Sequence, residues 1–169
     1  MSEMTQPREL FTHELGDILY AEKLLMKVLP KLAKEATDPE LVKGFESHLQ
    51  ETKQHVANLE QVFEQLGERA KAERCPGIEG IKAEHEEFMK KEKPSKEITD
   101  LFLTGAAART EHYEIAAYEG LVGMAKALGE TKSAALLERN LKQETAALRK
   151  VSTIAKRLAA DSSKVASAA

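Results

Sequence analysis

Glu111-His112-Tyr113-Glu114-Ile115-Ala116-Ala117-Tyr118, followed thirty-three residues after Glu111 by Glu144, decides how the chain is read. Set on a helix at ~100° per residue, Leu101, Ala108, Ile115, Tyr118 and Val122 define an apolar face. Glu111 falls inside that face, and Glu114 falls just beyond Tyr118, beside Leu121. The helix around Glu144 is cleaner. Leu137, Leu141, Leu148, Val151 and Ala155 make one stripe with Glu144 in its middle. An isolated buried charge is too costly to leave alone, so such a carboxylate must be paired, protonated or bound to a cation.

The same pattern runs outward from there. A first helix is expected over about Glu9–Ala36, with Leu10, Phe11, Ile18, Leu25, Leu29 and Leu32 in one stripe and Glu22 on it. Asp17 lies nearer the edge, read as a surface salt-bridge partner rather than a part of any site. Pro30 should kink the last turn or end the helix early. Asp38-Pro39 is a cap and restart signal, and a second helix follows to about Leu66, closed by Gly67. On it His48, Glu51 and His55 share one strip, the histidines nearer the apolar face and Glu51 at its border. The stretch 68–94 is irregular, with a short helix expected over Ile78–Lys91 lying outside the bundle. Two further long helices are expected over about Lys96–Leu128 and Thr131–Ala160. Asp161–Ala169, small and polar, is expected to be disordered, as are the first residues.

Short connections make the first pair of long helices antiparallel, and likewise the last pair. The middle segment can run back along a ~45 Å helix pair, which makes the second and third long helices parallel. There is a hint of a two-fold internal repeat. Two hairpins joined by one long crossover are the ferritin-like arrangement: all-α, one domain over 1–169, with a core of about 9–160.

Composition agrees. Aromatics are only 5% with no Trp, while Ala, Leu, Glu and Lys dominate, as in helical bundles. Charged residues make up 31% but leave a net charge of −3, which argues against a nucleic-acid partner. No apolar run is long enough for a membrane span. The single Cys75, without a signal-peptide pattern, fits a cytoplasmic protein, and Cys75 itself reads as structural. Tyr20, Tyr113 and Tyr118 read as packing residues, and His13, His85 and His112 as peripheral or outward-facing.

Glu22, Glu51, Glu111, Glu114 and Glu144 thus put at least one inward acid on each long helix. If several meet at one level they cannot all stay ionised without cations. Two divalent ions would neutralise four carboxylates, and oxygen ligands with one or two imidazoles suit iron, or alternatively manganese. The familiar Glu-x-x-His spacing is broken: Gln54 follows Glu51 at that spacing, and Ala147 follows Glu144. His48 or His55 could supply an imidazole.

Asp17-x-x-x-Ala21-Glu22-Lys23, His48-Leu49-x-Glu51-Thr52, Glu111-His112-Tyr113-Glu114-Ile115-Ala116-x-Tyr118 and Glu144 together resemble the YciF/YciE-type bacterial stress proteins, a ferritin-like family long carried as a domain of unknown function. The resemblance covers about Glu9 to Leu158. It implies a bundle with a crossover helix, usually a homodimer, and a rubrerythrin-like dinuclear site built from Glu22, Glu51, Glu111, Glu114 and Glu144. His48 matches the family better than His55.

These readings lead to a dinuclear metal protein of the stress response that reacts with peroxide or dioxygen and Fe(II). The competing expectation is a structural or interaction bundle without a functional metal centre, its acids protonated or paired with Arg109 or Arg139. Iron storage in a large shell ranks last.

Overall fold

A computed structural model describes residues 3–168, with side chains through residue 162. It contains five helices and, among the described residues, no strand: α1 (Pro7–Glu35), α2 (Pro39–Gln65), α3 (Pro76–Glu92), α4 (Lys96–Ala127) and α5 (Thr131–Ala168). The four long helices form the ferritin-like bundle, and α3 sits within the crossover.

The helix starts follow from their caps. The Asp38 carboxylate accepts from the backbone N–H of Glu40 (3.1 Å) and Leu41 (3.0 Å), with Pro39 in the first turn. Ser95 caps α4 through the Ile98 N–H. Gly67 and Gly129 end α2 and α4 with φ of 74° and 76°, a left-handed turn that glycine adopts without a Cβ penalty.

Contacts at the two ends of the bundle set its directions. At one end Arg8, opening α1, donates to the Leu66 carbonyl closing α2 (3.1 Å) and pairs with Glu130 between α4 and α5 (3.0 Å). At the other end buried Asp100, near the start of α4, accepts from the Thr37 N–H (2.8 Å), the Thr37 hydroxyl (2.6 Å) and the Asp38 N–H (3.0 Å). Arg157, late in α5, also reaches Asp38 there at 2.8 Å. α2 and α4 therefore run parallel, and α1 and α5 run the other way. One apolar core follows the bundle, from Phe11, Leu15 and Phe63 at one end to Leu32, Leu41 and Ile154 at the other.

Three details depart from the sequence reading. α1 continues through Pro30 to Glu35: the ring removes one helical donor, but Leu29 and Leu32 on either side are buried, and that packing holds the turn. α5 continues to Ala168 rather than ending at Ala160, because Asp161–Ala169 lacks Gly and Pro and so carries no stop signal; Met1, Ser2 and Ala169 lie outside the described residues. His85, which helical spacing turns inward with Ile81 and Phe88, is buried rather than at the surface. Its ring stacks with Phe102 of α4 (centroids 6.0 Å) and its Nε2 lies 2.9 Å from Glu35 Oε2, pinning α3 to the bundle.

Before α3, the crossover passes over α1 at Gly16. The Glu73 N–H donates to the Gly16 carbonyl at 2.9 Å, and a Cβ on Gly16 would lie 2.8 Å from the Lys71 carbonyl oxygen. Only glycine permits this approach.

Candidate metal centre

Each long helix turns an ionisable side chain into the middle of the bundle. Glu22 comes from α1, His48 and His55 from α2, Glu111 and Glu114 from α4, and Glu144 from α5. On every helix these positions share the face that carries the core leucines, so burial of that face buries them. Glu22, His55, Glu114 and Glu144 are 0% exposed, Glu111 is 5% and His48 is 7%.

They form two groups that share Glu144. In the first, ligand atoms of His48, Glu111, Glu114 and Glu144 lie within 4.8 Å of one another; in the second, those of Glu22, His55 and Glu144 do. His48 Nε2 is 3.5 Å from Glu111 Oε1 and 3.6 Å from Glu144 Oε2. His55 Nδ1 is 2.8 Å from Glu144 Oε1 and 3.2 Å from Glu22 Oε1. The other face of each imidazole is held. His48 Nδ1 lies 3.3 Å from Glu51 Oε2, and His55 Nε2 lies 3.0 Å from Gln143 Oε1. Outer partners that orient an imidazole in this way are a regular feature of metal sites.

Burial and charge compete here. Burial alone would lower both histidines. For His48 the Glu51 hydrogen bond and the charges of Glu111 and Glu144 outweigh it and raise the ring to about 9. For His55 contact with Glu144 and Glu22 raises it to about 10. Burial pushes Glu111 up to about 9 and Glu114 well above the carboxylate range. Glu22 and Glu144 share His55 yet shift oppositely, Glu22 up by burial and Glu144 down because both imidazoles face it. We place the charge of that pair on Glu144, which touches both rings.

Protons alone leave much unsatisfied. Both oxygens of Glu114 and of Glu144, one each of Glu22 and Glu111, and the inward nitrogens of His48 and His55 are buried without an aligned hydrogen-bond partner. Buried polar groups are normally bonded, so a cluster of orphans at one level needs an explanation. Four carboxylates and two imidazoles pointing at shared points are a hard-oxygen donor set with borderline nitrogens, and they could hold metal ions.

The expected residues are not all equivalent. Glu51 belongs to neither group: its side chain is 36% exposed, and it meets the site only through His48. His48 and His55 are both inward, one in each group. Tyr118, read as packing, also donates its hydroxyl to Glu22 Oε1 (2.5 Å) and accepts from Asn140 Nδ2 (3.0 Å). Asn140 in turn accepts from Asn58 (2.7 Å), which accepts from Gln54 (2.9 Å). Asn140 and Asn58 escaped the sequence reading, although Asn140 lies one turn before Glu144 on the same stripe and the test that found Glu144 would have found it. Asp17, expected in a surface salt bridge, instead accepts from the Tyr113 hydroxyl at 3.2 Å; that hydroxyl is also 2.9 Å from Cys75 Sγ. His112 faces outward as expected.

Fold and site together define a ferritin-like helical bundle with a buried carboxylate–imidazole cluster that could hold metal. The chain belongs to the family described as a domain of unknown function (DUF892), whose profile matches residues 6–164. Protein YciF of Escherichia coli K12 is 36% identical over 139 residues, spanning 82% of this chain and 83% of YciF. The crystal structure of that E. coli stress protein matches with a TM-score of 0.88, covering 92% of this chain and 98% of the crystallised chain at 34% identity. YcfI from Rhodopseudomonas palustris, provisionally described as a structural protein, matches with a TM-score of 0.87 and 37% identity, covering 89% of this chain and 96% of its own. A Xanthomonas campestris protein at 22% identity shares the fold, with a TM-score of 0.75 over 96% of this chain and 99% of its own. Among the described residues no helix is long and apolar enough to cross a membrane.

Proposed function

We propose that this protein is a dinuclear metal protein of the stress response, acting in the cytoplasm as a homodimer and reacting with peroxide or dioxygen and Fe(II). The observation that carries the reading is the set of buried carboxylate oxygens without a partner, both of Glu114 and one each of Glu22 and Glu111, gathered around Glu144, which both imidazoles face. His48, Glu111, Glu114 and Glu144 would hold one ion, and Glu22, His55 and Glu144 the other, with Glu144 common to both. Iron is the first choice and manganese the alternative; when bound, such ions supply one-electron redox chemistry that the side chains cannot. The chain's own part is to hold the donors in place, keep bulk water out and balance charge. Tyr118 and Asn140 fix the Glu22 carboxylate, and Glu51 fixes His48. The likeness to the stress protein YciF supports the biological setting.

The test is metal analysis of protein purified without chelator, followed by Fe(II) oxidation with peroxide. Two equivalents of metal and oxidation that disappears in Glu51→Ala/Glu144→Ala are expected, and wild-type oxidation in that double variant would defeat the reading.

A non-catalytic bundle is the second reading. The contacts of His55 with Glu144 and Glu22 favour it, since a protonated imidazole can neutralise part of the cluster unaided. Tight binding to the folded state alone must raise the melting temperature, so no shift in excess Fe(II) or Mn(II) would select this reading.

A further inference from the structure

Between the candidate centre and the end of the bundle where α2 begins lies a cavity of about 290 Å³. Leu25 and Leu29 of α1, Leu41 and Phe45 of α2, and Val151 and Ile154 of α5 wall it. Thr110, His48 and Glu111 line it at the level of the centre, and His48 Nε2 and Glu111 Oε2 are buried there without hydrogen-bond partners. Half-exposed Glu51 and exposed Lys150 stand where it opens to solvent. The space results from missing side chains as much as from helix spacing. Gly44 lines the chamber, and a Cβ added there would meet nothing within 4 Å; Ala107, Ala146 and Ala147 line it as well.

We propose that this chamber binds an unbranched aliphatic molecule with a neutral oxygen group at one end, an alkyl hydroperoxide or alcohol, its chain among the leucines and its oxygen end at His48 and Glu111. An apolar cavity of about 150 Å³ stays dry and admits benzene, so one nearly twice that size takes a chain of about eight to twelve carbons. Between that end and the charged mouth the wall offers water few polar partners, so an aliphatic chain gains by displacing it. The inference deepens the function proposed above by naming its substrate class, and it rests on that reading for the fate of the oxygen end; binding of the chain does not require metal.

The experiment titrates the full-length protein, freed of metal with chelator, with the 1-alkanols from hexanol to decanol by calorimetry. Decanol is expected to bind, with affinity rising about threefold to fourfold per added methylene. Gly44→Leu and Ala147→Phe, each filling the chamber from a different wall, should lower decanol affinity at least tenfold while keeping the melting-temperature gain on adding Mn(II). Gly44→Leu also replaces glycine within a helix, which favours the fold. No decanol binding to the wild-type protein, or binding that both variants retain, overturns the proposal. Loss of the Mn(II) gain with decanol binding retained would instead count against the metal reading and leave the chamber standing.

Discussion

His55 Nδ1 lies 2.8 Å from Glu144 Oε1, joining α2 to α5 at the level where both groups of donors meet. Glu144 also faces His48 at 3.6 Å, so this one carboxylate touches both imidazoles of the cluster. Replacing it removes a charge that helps keep both rings protonated in the metal-free protein. Glu144→Ala should cost roughly 3–5 kcal/mol there, the usual penalty for stranding one member of a buried pair. It should also abolish any melting-temperature gain from Mn(II). Urea unfolding with and without metal checks both.

Tyr118→Phe keeps the packing of a fully buried ring and removes one hydroxyl. Glu22 loses its donor and Asn140 loses an acceptor. We expect a loss of about 1–3 kcal/mol, within the range for an unsatisfied buried group, with the fold intact. The urea midpoint should fall while the circular dichroism spectrum stays helical.

The pH response should flatten on adding metal. His48 and His55 are raised in the folded state, to about 9 and about 10, from an ordinary 6.5. Their contribution is complete below pH 6.5 and disappears as pH rises through the folded values. Glu111, raised from 4.5 to about 9, acts in the same direction, since the folded state retains its proton between those values. The metal-free protein should therefore lose stability most steeply from about pH 6.5 to about 10, with Glu111 already contributing to the loss above 4.5. Metal ligation requires the deprotonated donors, so the metal-dependent gain should grow over that window. Parallel thermal melts across that range, with chelator and with Mn(II), decide the matter.

Asp100→Ala tests a contact remote from the centre. It strips three hydrogen bonds from the turn joining α1 to α2, two of them to backbone N–H groups. About 1–2 kcal/mol should be lost, because hydrogen bonds to a charged acceptor disappear while water reaches the exposed Thr37 donors. Metal stoichiometry should be unchanged, which separates general weakening from damage to the site.

The features legible in the sequence were those that break a regular pattern. Glu144 inside the Leu137–Val151 stripe and Glu22 inside the α1 stripe both announce themselves by sitting where leucine is expected. Asp38-Pro39 marks a helix start through its capping carboxylate, and Gly67 and Gly129 mark ends because few other residues tolerate their left-handed backbone. Pairwise geometry was not legible. Periodicity places Glu51 and His48 on one strip, but only the packing of α5 against α2 decides that Glu51 stays half in water. The Tyr118 hydroxyl carries no periodic signal of its own, and its link to Glu22 depends on how α1 and α4 meet. The continuation of α5 past Ala160 went unread because a small, polar segment without glycine or proline looks alike whether coiled or helical.

The crossover has a further consequence. The α1–α2 hairpin owns one acid and two imidazoles of the cluster, and the α4–α5 hairpin owns three acids and none. Neither half is a complete donor set, so an ion held between them would act as a clasp. If the chain were nicked in the stretch before α3, the two fragments would keep a metal-dependent reason to stay together, and a chelator would become the agent that parts them.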